Sequence, residues 1–324
     1  MNVRRRHISA VALTAVAALG FGTLTACSSD SAAAGDTGSF DVVASFYPMA
    51  FLAERIGGEH VHVTSLTQPG QEPHDLEISA RQTAQLEEAD AALYLKGLQP
   101  SVDEAIGQSP IATKIDAAGL TTLEEHGTEA GHDDEHGDEH AHEDEHGHDH
   151  EGGDPHIWLD PVRYAEVAEG VGKAFQKADP DHAADYRKNT AALVKDLKAL
   201  DEKFRTGLAN RTTDVFVTTH AAFGYLAERY GLTEEAISGL DPDTEPSGAR
   251  VKELQKIAKE DGVTTVFYET LVSDKTAKTL AGDTGLRTDV LDPVEGITDR
   301  SRGEDYFQVM EANLTALRTA LGAR

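Results

Sequence analysis

Residues 181–208 read DHAADYRKNTAALVKDLKALDEKFRTGL, with apolar side chains recurring at helical intervals. A helix of these 28 residues spans roughly 40 Å at 1.5 Å per residue. That is long enough to join two lobes as a stiff rod. Asp179-Pro180 separates it from a preceding helical pattern over residues 161–178.

Outward from this rod, both flanks alternate short apolar runs with amphipathic ones. On the amino-terminal side, 41–45 (DVVAS) reads as a strand and 46–56 as a helix stopped by Gly57-Gly58. A strand over 61–66 and the Pro69-Gly70 loop follow. Ser79 and Gln82 form a capping box for a helix ending near Glu88, and 91–95 is a buried strand. Residues 102–106 and 111–115 continue the alternation. On the carboxyl side, strands are expected at 215–218, 233–238, 263–268 and 286–291, with helices at 221–230, 248–260, 274–282 and 303–321. The fold class is α/β: two Rossmann-like lobes with mainly parallel sheets, 40–178 and 211–324, joined by one long linking helix over 179–210.

The beginning of the chain reads differently. Arg4, Arg5 and Arg6 precede an Ala/Leu/Val-rich stretch that ends at Leu24-Thr25-Ala26-Cys27, the pattern of an export signal closing in a bacterial lipobox. Residues 1–26 are then a lipoprotein signal peptide, Cys27 the lipidated mature terminus and 27–39 a flexible tether. A single cysteine leaves no intramolecular disulfide, so stability rests on packing. The expected location is the outer face of the cytoplasmic membrane, and the expected form is a monomer.

Formal net charge is −28, and half of it lies between Glu124 and Asp154, where 14 acidic residues stand without a Lys or Arg. Such a balance disfavours nucleic acid and favours a cation. The same segment carries His126, His132, His136, His140, His142, His146, His148 and His150. With no apolar periodicity, 124–153 is expected to be a disordered loop. Its imidazoles would collect metal at low affinity, the carboxylates raising the local cation concentration.

Three other histidines sit in restricted backbone. His74 lies in PGQEPHD (69–75), His156 in DPHIWLDP (154–161), and His220 directly follows the strand DVFVTT. Metal ligands need such pre-positioning. Asp292, in VLDP (290–293), shares with His220 a place at the carboxyl end of an expected strand, the edge where open α/β sheets bind ligands. Three imidazoles and a carboxylate suit Zn²⁺ better than Mn²⁺, which more often takes added oxygen ligands.

With these motifs in order, the chain resembles the metal-binding solute-binding lipoproteins of zinc and manganese ABC transporters (cluster A-I), in the zinc-specific type. PGxxPHD, DPHIWLDP, TTHAAFGY and VLDPVEG carry the resemblance from about residue 41 to 321. It implies His74, His156 and His220 as ligands, Asp292, water or another acid in the fourth place, a cleft site between lobes that move little, and delivery to an ABC permease. Manganese-selective relatives often hold a glutamate at the position of His220; histidine there, with the histidine-rich segment, favours zinc. Glu269, at the end of the expected strand 263–268, is a candidate acceptor for a ligand imidazole N–H. Trp158 reads as a packing residue beside His156.

Three alternatives stand beside this reading: a manganese-specific binding protein, a metal-binding surface adhesin and a zinc hydrolase. Against the hydrolase, the chain has no HExxH and no clear general base beside a ligand, and a ligating Asp292 leaves no open coordination position. The expected protein is not an enzyme.

Overall fold

The computed structural model describes residues 39–126 and 153–324. The expectations for the signal peptide, Cys27, most of the tether, and the seven histidines from His132 to His150 lie outside the described residues. No helix among the described residues is long and apolar enough to cross a membrane.

The first lobe contains strands β1 (Phe40–Ala44), β2 (Val61–Ser65), β3 (Ala91–Tyr94) and β4 (Thr113–Asp116). Its helices are α1 (Tyr47–Gly57), α2 (Ala80–Glu88), α3 (Pro100–Gln108) and α4 (Pro161–Ala178). The long helix α5 (Ala183–Gly207) follows. The second lobe holds β5 (Val215–Thr218), α6 (Gly224–Tyr230), β6 (Thr233–Ala236), α7 (Gly248–Glu260), β7 (Thr265–Tyr268), α8 (Lys275–Thr284), β8 (Arg287–Val290) and α9 (Tyr306–Leu321).

The two sheets repeat one topology, β2-β1-β3-β4 and β6-β5-β7-β8, with parallel pairings throughout the described strands. Parallel neighbours require crossovers, which the helices supply. The order of strand succession reverses between β1 and β3 and between β5 and β7, and the loops leaving the carboxyl ends of such a pair diverge to opposite sides, the place where open α/β sheets bind ligands.

Local chemistry sets several boundaries. The Ser79–Gln82 capping box starts α2 with both reciprocal bonds formed. Asp160 caps α4 ahead of Pro161, and Asp305 caps α9. Helix α6 begins at Gly224 rather than at 221, because residues 221–223 make the turn that leaves His220 facing the cleft.

Helix α5 buries Tyr186, Thr190, Leu193, Val194, Leu197, Leu200 and Phe204 as one stripe, packing on α1 and α4 of the first lobe and α9 of the second. One apolar core consequently runs through both lobes, from Val42 and Met49 through Trp158, Tyr164 and Phe204 to Phe216, Tyr306 and Leu317.

Candidate metal centre

Each crevice-facing loop is held by its own polar anchors. The loop after β2 is fastened by Thr67 Oγ1, which donates to the Ser45 carbonyl at 2.8 Å. Gln99 Nε2 donates to Thr67 Oγ1 at 3.0 Å and to the Pro73 carbonyl at 3.1 Å. His74 is thereby presented toward the cleft. His156 stands at the start of a short turn over Ile157–Leu159. Its backbone N–H and ring Nδ1–H both donate to Asp154 Oδ1, at 2.9 and 2.8 Å. His220 follows β5, and its Nδ1–H donates to Glu269 Oε1 at 2.7 Å, an oxygen that also accepts from Thr219 Oγ1.

The three imidazoles converge. Their ring centres lie 5.5, 6.0 and 5.4 Å apart for the pairs 74–156, 74–220 and 156–220. Among them sits Glu295 Oε1, 3.4 Å from the Nε2 atoms of His74 and His156 and 3.8 Å from that of His220. One donor atom from each of the four residues falls within 4.8 Å of every other. His156, His220 and Glu295 are fully buried.

Asp292, the acid singled out by the sequence, does not join this group. Its Oδ2 accepts from Thr270 Oγ1 at 2.9 Å, and its Oδ1 from the Val294 N–H at 2.8 Å, the latter a turn closed within its own loop. Val294 takes φ +60°, a left-handed conformation costly for a β-branched residue. Its side chain is nevertheless fully buried. That bend turns the chain so that Glu295, not Asp292, reaches the histidines. The sequence shows two acids three residues apart in one loop; only the turn tells them apart.

Buried His156 Nε2, His220 Nε2 and Glu295 Oε2 have no hydrogen-bond partner. Orphaned polar atoms are rare in a folded core and call for a reason. With Nδ1–H of His156 and of His220 committed to carboxylates, Nε2 is the ring atom of each that faces the common centre, the arrangement that supports metal ligands from behind.

Charge is balanced tightly here. Burial opposes protonation of His156, but contacts with Asp154 and Glu295 outweigh it and push its pKa up to about 10. Burial likewise opposes protonation of His220, and Glu269 with Glu295 carries it to about 9. For His74 burial prevails over Glu295 and the value falls. Burial would raise Glu295, yet His156 and His74 hold it well below the usual carboxylate range. Glu72, whose Oε1 accepts from the His74 N–H at 3.0 Å, is driven up to about 9 by burial and by Glu295. A dication placed at the centre would satisfy the orphaned atoms and displace the imidazole protons.

Sequence reasoning passed over Asp154, Glu72 and Glu295, though all three lie inside the quoted motifs. Trp158 packs edge-on against Phe46 at 5.0 Å, and its Nε1–H donates across the cleft to the Pro293 carbonyl at 2.6 Å. It therefore ties the His156 turn to the Glu295 loop. His126 lies apart from the centre, against Asp154 and Glu228. Beside the site, Pro69 and Gly70 of one lobe and Thr270, Leu271, residues 297–301, Gly303 and Glu304 of the other line the cleft mouth.

A family model described as zinc-uptake complex component A, periplasmic (ZnuA), matches residues 42–320. The zinc-binding lipoprotein AdcA of Streptococcus pneumoniae is 38% identical over 311 residues, covering 91% of this chain and 58% of that protein. This chain thus spans little more than half the length of that relative. The high-affinity zinc uptake system protein ZnuA of Bacillus subtilis is 36% identical over 286 residues, covering 86% of this chain and 87% of that protein. The crystal structure of the Zn(II)-bound ZnuA-like domain of Streptococcus pneumoniae AdcA superposes with a TM-score of 0.70 at 33% identity, covering 88% of this chain and 99% of that domain.

Proposed function

This chain belongs to the zinc-uptake complex component A family, and from that premise we propose that it captures Zn²⁺ outside the cytoplasm and hands it to the permease of an ABC importer. The ligands are His74, His156, His220 and Glu295. The observation that carries this reading is the convergence of three buried imidazoles on one buried carboxylate oxygen, with two Nδ1–H groups held by Asp154 and Glu269. Three neutral nitrogens and one oxygen within tetrahedral reach suit zinc; manganese favours more oxygen ligands.

The role is binding and release, not turnover. Four protein donors fill a tetrahedral shell and leave no open position for an activated water. Cys27, if lipidated, holds the protein to the outer face of the membrane, where the permease is reached by diffusion in two dimensions. A Cys27→Ser protein should then be found in the medium or periplasm rather than in the membrane fraction.

Competitive zinc titration tests the ligand set. His74→Ala, His156→Ala, His220→Ala and Glu295→Gln should each weaken binding by at least about 10-fold, since changes even behind the ligands cost 10–100-fold. Asp292→Asn should stay nearer the parent value. The ligand assignment fails if Glu295→Gln binds as the parent does while Asp292→Asn loses zinc. Zinc uptake under chelation in a deletion strain tests delivery: uptake restored by the parent protein but not by His220→Ala is the expected result.

A further inference from the structure

The turn that carries His220 is fastened from outside itself. Residues 219–223 lead from β5 into α6, and Phe223, at the head of that helix, makes no capping bond with its own side chain. The edge strand β6 supplies the missing polar partner. Glu234 stands opposite Phe216 in the β5–β6 pairing, and its two oxygens hold the turn at both ends. Oε1 accepts from Thr218 Oγ1 at 2.7 Å, and Oε2 from the Phe223 N–H at 3.0 Å. Thr218 precedes His220 and Phe223 follows it, so one carboxylate brackets the segment that aims the imidazole. Between those two points Ala221 and Ala222 are buried, and their N–H groups go to the carbonyls of Gly239 and His220, at 2.9 and 3.0 Å.

Glu234 is also open to water. It lines a cavity of about 550 Å³ with Glu124, Glu125, His126 and Glu228, and from the protein side it feels His220, His156 and Asp154. Burial lifts its carboxyl to about 7, against the opposing pull of Thr218 and His220. This acid therefore exchanges its proton near neutrality, through a cavity that solvent reaches. A carboxylate accepts stronger hydrogen bonds than the neutral acid does. The anion holds the turn more firmly and adds negative charge near the dication that His220 would bind.

We infer that Glu234 is a positioning residue for zinc capture: it touches no ligand, it holds the His220 turn, and by taking up a proton it loosens that hold in acid, an assignment that rests on His220 being a ligand. The sign follows from linkage. A bound dication favours the anion, so zinc expels the Glu234 proton below about pH 7, and affinity falls faster with acid than the ligands alone require. His126, whose pKa its bond to Asp154 raises, faces the same cavity but is unchanged in every variant below.

Chelator competition with the whole chain at about pH 6 and about pH 8 measures this for the parent, Glu234→Gln, Glu234→Ala and His220→Ala. Glutamine can keep both bonds, its carbonyl accepting from the Phe223 N–H and its amide donating to Thr218 Oγ1, but it cannot ionise. It should match the parent at about pH 6 and bind about 10-fold more weakly at about pH 8, the low end of the cost of changes behind a ligand. Alanine, lacking the clamp, should bind about 10–100-fold more weakly than the parent at about pH 8 and remain weaker at about pH 6. The Phe223 amide resonance of the metal-free chain gives a readout independent of zinc: it should titrate with a midpoint near 7 in the parent and stay flat in Glu234→Gln. Should alanine fail to fold, the glutamine and amide measurements decide alone. Glu234→Gln tracking the parent at both pH values, or a flat Phe223 amide in the parent, would overturn the role of Glu234 while His220→Ala still lost zinc. Parent-like binding by His220→Ala would sink the ligand assignment instead, and the role of Glu234 with it.

Discussion

At the scale of single residues, the proposed metal capture is a proton exchange. His156 and His220, with pKa values raised to about 10 and about 9, hold protons at neutral pH in the metal-free protein, neutralising Asp154, Glu269 and Glu295. Zinc needs the lone pairs those protons occupy. Binding at pH 7 should therefore release about two protons per ion, and affinity should rise with pH. Calorimetry in buffers of differing ionisation enthalpy measures this; release of none would contradict the arrangement. For the metal-free fold the sign is opposite. A raised histidine pKa stabilises fully below its ordinary value of 6.5, and that contribution is lost as pH rises through about 9 to 10. The melting temperature of the metal-free protein should fall across that alkaline window, while the zinc-bound form, already deprotonated, escapes the loss.

At the scale of elements, the helices hold the loops at fixed spacing. Helices α4 and α5 approach closely because Gly172 faces Thr190: an added Cβ would lie 2.2 Å from Thr190 Oγ1, a hydroxyl already donating to the Tyr186 carbonyl at 2.7 Å. Gly172→Ala should destabilise by about 1–3 kcal/mol through overpacking. Thermal melts should show most of the loss recovered when Thr190→Ala is added, and unchanged stability in the single variant would mean the helices separate freely. The strands and helices were legible in the chain to within about three residues at their ends, because apolar periodicity and caps act locally. Two helices start three residues later than their patterns: α9 at Tyr306, behind its Asp305 cap, and α6 at Gly224, since residues 221–223 serve the His220 turn.

At the scale of the whole molecule, the lobes are joined by more than the α5 rod. Trp158 donates to the Pro293 carbonyl at 2.6 Å, Tyr306 donates to the Trp158 carbonyl at 2.6 Å, and Arg229 of the second lobe holds Asp160 of the first at 2.6 and 2.8 Å. With one apolar core running through both, a wide hinge would have to open packed surface. Small-angle scattering with and without zinc should give radii of gyration equal within error. A clear contraction on binding would show that the core separates at the cleft.

By itself the sequence determined the two α/β halves, the rod between them and the three histidines in stiff loops, because hydrophobic period, caps and prolines act over a few neighbouring residues. The identity of the carboxylate among those histidines was decided only by tertiary structure. Asp292 and Glu295 share one loop and one chemistry, and the left-handed bend at Val294, held by burial of its side chain, aims the second rather than the first. So too with Asp154: its bond to His156 spans two residues, but its bond to His126 spans 28, and no local pattern announces that one carboxylate backs two imidazoles.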